Sequence, residues 1–430
     1  MKRLLAGLLL LAIAGTAVYG YTVSRRERTY RELIAQGESV GARDNTFAAI
    51  EAFSGAIALK PESMLGYLKR GEVYRRRGDL DAALRDLQRA SDLDPTATRP
   101  LELLGDVEYA LERYTAAAGR YRAYVALDDR APRLSYKLAL AEYRAGRLDL
   151  AIDAVRRAIA LDDRMAEAHY LLGICLRERG KTAPARDALV RAVALAPALL
   201  AAREELADLD RLLGRTEERL VQLEALCALD PGPARDITLG LAYADAGQRD
   251  RAVLTLGRAA ERYPEHTATY VALGRVWLEA AQARGDRIAL SKALGALQGA
   301  IGPNDTSEAL TLFGRALLMT HDAEGAERML QDATRREPVD PLAYYHLAEA
   351  SARLRHYDEA RRALLDYEAL HGPDADPHQR AAHAVRLGDL SMRLNDRAAA
   401  VRYYGDAAAA ETVPAALARI NTALARARAR

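Results

Sequence analysis

The stretch RGDLDAALRDLQRASDLDP, residues 77–95, runs from a glycine turn through an amphipathic segment to a proline, and the chain keeps returning to it. Versions stand at 145–163 (AGRLDLAIDAVRRAIALDD), 179–197 (RGKTAPARDALVRAVALAP) and 246–264 (AGQRDRAVLTLGRAAERYP). Aligned on their small residues, Gly37, Gly71, Gly105, Ala139, Gly173 and Ala207 are each 34 apart. Gly240, Gly274, Gly314, Ala348 and Gly388 continue the series with steps of 33, 34, 40, 34 and 40. A second series keeps the same beat through Ala49, Ala83, Ala117, Ala151, Ala185, Ala252, Ala293, Ala326, Ala360 and Ala400. A third closes the units at Pro61, Pro95, Asp129, Asp163, Pro197, Pro231, Pro264 and Pro338. A fixed period of this length signals a repeat architecture, in which each copy is one supersecondary unit that buries its apolar face on the next.

Each copy holds two helical patterns. From Met64, the residues Tyr67, Gly71 and Tyr74 share one face, and after Gly78 so do Ala83, Leu87 and Ala90. Gly78 is placed to end the first helix, Asp79 and Asp81 to start the second, and Pro95 to stop it. The small residues of the first two series are expected where the antiparallel helices approach closely. Alanine, leucine and arginine dominate the composition, with half the residues hydrophobic, which is a helix-forming alphabet. The 62 basic and 60 acidic residues nearly cancel, so no global field for nucleic acid is indicated. Cys175 and Cys227 read as small apolar core residues, without a C-x-x-C pair.

These units resemble tetratricopeptide repeats, on the strength of "Leu172-Gly173", "Leu239-Gly240-x-x-Tyr243" and "Leu273-Gly274-x-x-Trp277" with the in-phase alanines and prolines. The resemblance implies an all-α right-handed superhelical solenoid of about eleven helix-turn-helix units: 30–63, 64–97, 98–131, 132–165, 166–199, 200–232, 233–266, 267–303, 307–340, 341–374 and 381–414. Residues 415–430 then read as a C-terminal capping helix, with Leu417, Ile420 and Leu424 on one face. Three departures stand out. Arg219 takes the small-residue position in the unit 200–232, which should loosen that packing unless the guanidinium reaches solvent. The unit 267–303 carries about seven extra residues, and a linker at 372–379 adds six more.

Residues 1–29 form a separate segment. Lys2 and Arg3 precede an uncharged run over residues 4–24, which Arg25, Arg26 and Arg28 close. The run is long enough to cross a bilayer as a helix, and reads as a signal anchor, with a cleaved signal peptide as the alternative. The short basic N-terminus favours an inner-membrane anchor of bacterial type with an exported, periplasmic repeat body. The arginines after the run support a cytoplasmic body instead.

No nucleotide loop, nucleophile elbow or metal spacing is present, the glycines being taken up by the repeat. His371, His378 and His383 straddle the 372–379 linker and read as solvated loop histidines. No catalytic residue, cofactor or metal is expected, and the protein reads as a non-enzymatic scaffold. In the resembling family the first helix of each pair lines a concave groove. The matching positions here are Arg99, Glu102, Asp106 and Tyr109, then Arg133, Tyr136, Leu140 and Tyr143 with Arg144, then Tyr170, Ile174 and Arg177. Tyrosine and arginine make interface anchors, so this stripe is the expected partner-binding groove, its arginines attracting carboxylates, and tyrosine packing between helices is the competing role. The family's chaperone-tail clamp is not expected, because Leu68, Glu72, Glu102 and Asp106 occupy its positions. The expected function is a protein or peptide adaptor in envelope assembly or secretion. A glycan-binding subunit of polysaccharide export, or a regulatory subunit of a membrane enzyme, are the alternatives.

Overall fold

The computed structural model describes residues 2–302, 305–372 and 376–429, with side chains from residue 13 onward. Among the described residues there are twenty-three α-helices and no strand. The chain divides into two compact units, Met1–Leu213 and Gly214–Arg430.

The first unit begins with α1 (Lys2–Gly41), α2 (Thr46–Leu59), α3 (Met64–Arg77) and α4 (Leu80–Leu93). It continues with α5 (Thr98–Ala110), α6 (Tyr114–Leu127), α7 (Pro132–Arg144) and α8 (Leu148–Leu161). It ends with α9 (Ala166–Glu178), α10 (Thr182–Leu195) and α11 (Leu200–Leu212). Within it, α1–α2, α3–α4, α5–α6, α7–α8 and α9–α10 are antiparallel pairs, and each second helix packs on the next first helix.

The second unit begins with α12 (Thr216–Leu229), α13 (Pro233–Asp245), α14 (Arg249–Arg262) and α15 (Thr267–Arg284). It continues with α16 (Arg287–Ala300), α17 (Ser307–Met319), α18 (Ala323–Ala333) and α19 (Pro341–Arg353). It ends with α20 (Tyr357–His371), α21 (Pro377–Arg393), α22 (Arg397–Ala410) and α23 (Pro414–Arg428). The same pairing runs from α13–α14 to α21–α22, and α23 covers α22.

The two small-residue series have a common physical origin. Every alanine of the second series is fully buried. The glycines of the first series face one large side chain on the partner helix. A Cβ on Gly71 would stand 2.8 Å from Leu87 Cγ, one on Gly173 2.7 Å from Leu189 Cγ, and one on Gly388 2.6 Å from Tyr404 Cε1. The partner lies 16 residues on in these units, and 23 on in the pair Gly274 and Leu297. The extra seven residues of that unit therefore sit between the two contacts. They lengthen α15 to 18 residues, against 13 for α13.

The hairpin turns repeat as closely. Gly78 ends α3 at φ +87°, and the Asp79 N–H reaches back to the Tyr74 carbonyl at 3.0 Å. Gly146, Gly180 and Gly247 take the same left-handed conformation, whereas Glu112, His321, Arg355 and Asn395 are forced into it. Asp79 stands at the N-cap of α4 and Asp81 in its first turn, as expected, and the Asp79 side chain makes no capping hydrogen bond. Its carboxylate instead takes a hydrogen bond from Arg77 Nε at 2.6 Å.

Four expectations are modified. No break separates an N-terminal segment from the first repeat, because α1 is one helix of 40 residues. α21 begins at Pro377 with Asp376 as its N-cap, inside the expected linker, of which residues 373–375 lie outside the described residues. His383 is not a loop histidine but lies on α21, stacked on Tyr345 at 5.8 Å and edge-on to Tyr367 at 5.0 Å. Arg219 does not reach for solvent: its side chain is 16% exposed and pairs with Asp245 at 3.5 Å. The boundary between the two compact units falls inside the repeat that carries it.

The expected membrane span covers residues 4–24, and residues 4–12 lack described side chains. Among the described residues no helix is long and apolar enough to cross a membrane. In the described part of α1, Ile13, Val18, Tyr19, Tyr21 and Val23 are all exposed.

Candidate functional site: a tyrosine stripe on three first helices

Three first helices of the first unit, α5, α7 and α9, carry the residues singled out from the sequence. Tyr109, Tyr136, Leu140, Tyr143 and Tyr170 are half-buried and rest against the core formed around Leu138, Leu171, Leu134 and Ala139. Their rings are neither free nor sealed: each packs on the core with part of its surface left open. Tyr136 stands between its neighbours: its hydroxyl is pushed above the ordinary range first by burial, then by Glu167, Tyr109 and Tyr170. Burial and then the acids Glu205 and Glu204 do the same to Tyr170. The Tyr143 hydroxyl donates to Glu178 Oε1 at 2.7 Å, and burial together with this bond pushes it up to about 12. Tyr109 meets Tyr114 edge-on at 5.1 Å, and the exposed Arg144 guanidinium lies near its hydroxyl. The Tyr143 tip is thus engaged within the array by its bond to Glu178.

The arginines divide into two groups. Arg99 is held by Glu72 at 3.1 Å and Glu102 at 2.9 Å, and Arg177 is paired with Glu205. These two are neutralised within the array and do not attract an outside carboxylate as the sequence suggested. Arg133 is exposed and forms no ion pair among the described residues, so it and Arg144 are the accessible cations of the stripe. Ile174 is 6% exposed and belongs to the wall behind the stripe, not to its open face. The sequence reading missed Lys137, which sits between Glu102 at 2.9 Å and Asp106 at 2.8 Å. The Asp106 carboxylate also accepts from the Tyr121 hydroxyl at 2.8 Å, and burial first, then Asp106, keeps that phenol protonated. The thiols of Cys175 and Cys227 are free, and burial pushes them up to about 12 and about 11, so neither is a reactive thiolate near neutral pH.

The second unit holds a cavity of about 1000 Å³ against α15, α17 and the irregular segment after α18. Arg275, Arg315 and Arg336 line it together with Asp305, Glu308 and Asp340. Arg336 pairs with Asp305 at 2.7 Å and Arg275 with Glu308, so its charges are largely satisfied internally. α18 has 11 residues where α14 has 14, a shortening the repeat period does not reveal, and the irregular segment that follows it lines the cavity.

Tetratricopeptide-repeat sequence profiles match residues 34–98, 102–166, 136–199 and 311–379, with a further profile of the same repeat at 238–266. The chain belongs to the tetratricopeptide repeat family. A curated relative, small glutamine-rich tetratricopeptide repeat-containing protein 2 from Mycosarcoma maydis, is 31% identical over 97 residues. That is 23% of this chain, and the match spans only 28% of the relative. Among solved structures, that of MamA is 25% identical, covering 37% of this chain and 94% of its own with a TM-score of 0.37. Yeast Tom70 is 14% identical, covering 94% and 96% with a TM-score of 0.40. Arrays of this family are generally non-catalytic scaffolds that hold protein or peptide partners.

Proposed function

We propose that the protein is a membrane-tethered adaptor that binds an extended peptide segment along Tyr109, Tyr136, Tyr143 and Tyr170. The carrying observation is the placement of Tyr136 between Tyr109 and Tyr170 on three successive first helices, with every ring half-buried. Aromatic side chains packed in part against a core lose less conformational freedom on binding than exposed ones, and each offers a large apolar face. Arg133 and Arg144 flank the stripe and suit a ligand that carries an acidic group beside its apolar residues. The tether is the uncharged run over residues 4–24, whose 21 residues amount to about 31 Å of helix, close to the thickness of a hydrocarbon core. With the anchor in a bacterial inner membrane and the array on the exported side, the adaptor would serve envelope assembly or secretion.

The test is site-specific photo-crosslinking in membranes, with the probe at Tyr136 or Tyr143 and a control probe at Arg157, exposed on α8. The reading expects one discrete protein adduct from the two stripe positions and none from the control. Equal adducts from all three positions, or adducts to glycan alone, would refute it. Release of the intact chain from membranes by alkaline carbonate would refute the tether separately.

A further inference from the structure

The second unit brings together three donors that the sequence keeps 29 and 3 residues apart: Glu327 on α18, His356 at the N-cap of α20 and Glu359 in its first turn. Their donor atoms all lie within 4.8 Å of one another. His356 Nδ1 is 3.0 and 3.2 Å from the two oxygens of Glu327. Ser351 Oγ donates to Glu327 Oε1 at 2.7 Å, and Gln331 Nε2 donates to Glu359 Oε1 at 2.6 Å, so neutral groups orient both carboxylates.

The unusual feature is the charge. Glu327 follows the fully buried Ala326, and its side chain is only 12% exposed. Other copies place Leu84, Ile152, Leu220, Val253, Leu294 or Val401 at this position. Two copies place an arginine there, and each is matched by an acid: Arg186 by Asp210 at 2.5 Å and Arg361 by Asp396 at 2.9 Å. Glu327 has no such match. Among the described residues neither it nor Glu359 meets a lysine or arginine, and the one titratable nitrogen between them is His356. A mostly buried carboxylate facing a second carboxylate calls for a cation to offset it.

We propose that Glu327, His356 and Glu359 form a binding site for a first-row divalent cation of the zinc class. Two carboxylates match the charge of the ion, and the imidazole nitrogen selects zinc or cobalt over magnesium or calcium. At metal–ligand distances of about 2.0–2.1 Å, donors 3.0 Å apart subtend roughly a right angle at the metal. Rotation of the Glu359 side chain brings the third donor in, and water fills the remaining positions. Ser351 and Gln331 act as the outer hydrogen-bond donors that hold the carboxylates in place. The ion would clip α18 to the start of α20, joining the units 307–340 and 341–374.

The test uses the full chain, titrated with Zn²⁺ in competition with a chromophoric chelator, and with Co²⁺ followed by visible absorption. The expected result is one tight equivalent, weakened at least tenfold in Glu327→Gln, His356→Asn and Glu359→Gln. Mg²⁺ should not compete. Glu359→Gln keeps a polar side chain of the same size at a half-buried position, and an unchanged far-ultraviolet helix signal in each variant separates lost ligands from lost fold. Zn²⁺ binding that is absent, or equal in the parent and all three variants, overturns the proposal and leaves a simple imidazole–carboxylate pair.

Discussion

Adding one methyl group at Gly240 tests the packing rule on which the architecture depends. Gly240 lies on α13, and a Cβ there would stand 2.5 Å from Leu256 Cγ, 2.7 Å from Cδ2 and 3.2 Å from Cδ1. Carbon atoms in good contact sit about 3.5–4.0 Å apart, so the overlap is about 1 Å. Leu256 is fully buried and has no free space into which to turn. Gly240→Ala must therefore spread α13 from α14 or push Leu256 off its rotamer, at about 1–3 kcal/mol. The better helix propensity of alanine returns up to about 1 kcal/mol, leaving a net loss of about 1–2 kcal/mol. Gly257 is the internal control. It follows Leu256 on α14, a Cβ there meets nothing within 4 Å, and Gly257→Ala should gain about 0.5–1 kcal/mol. Urea unfolding followed by circular dichroism should move the midpoint in opposite directions for the two variants. Hydrogen exchange should localise the Gly240 effect to α13 and α14. In the double variant Gly240→Ala/Leu256→Ala the loss should be smaller than the sum, since the atoms that collide are gone. Equal stabilisation by both alanines would refute close helix approach as the reason for the glycine series.

Arg355 sits at φ +66° in a turn where Gly247 sits at +72°, so Arg355→Gly should stabilise and Gly247→Ala destabilise, each by about 1 kcal/mol in urea unfolding. His346 is buried on α19 beside Arg315 and Arg386, its Nδ1 has no hydrogen-bond partner, and burial with those two cations lowers its pKa to about 4 against the opposing pull of Glu349. The unfolded chain therefore binds this proton first. Stability falls as pH drops from about 6.5 to 4 and by up to about 3 kcal/mol from this group, and His346→Leu should flatten that part of the pH profile. Tyr136→Ala should weaken ligand binding by about 1–3 kcal/mol and, because the ring also rests on the core, lower unfolding stability by about 1–2 kcal/mol. Tyr136→Phe keeps the packing and should leave stability within about 0.5 kcal/mol of the parent, and calorimetric binding at a temperature where both variants are folded reads the two effects apart.

What the sequence reveals and what it hides separate along one physical line. A helix pair that touches at Gly71 and Leu87 permits almost no other residue at the glycine, so the constraint is written into each copy and the period is legible without coordinates. Residue 219 shows the limit even there. An arginine at a small-residue position signals an altered joint, but that it pairs with Asp245, 26 residues on, follows only once α12 and α13 are set beside each other. The charges of the stripe are of this second kind. Arg99 finds Glu72 across 27 positions, Lys137 finds Glu102 across 35, and Arg177 finds Glu205 across 28. These pairings cross from one copy to the next, and the period fixes which residues share a face without fixing which rotamers meet. The positions of Tyr109, Tyr136 and Tyr170 could thus be taken from the helix pattern, while the number of arginines open to a ligand could not. Glu327 and His356 obey the same logic, since their spacing of 29 matches no metal motif and becomes a site only when α18 packs beside α20. On the proposed reading, partner specificity depends on which cations the array's own acids leave free. On the stripe those are Arg133 and Arg144, which makes an acidic residue flanked by apolar ones the first peptide chemistry to try.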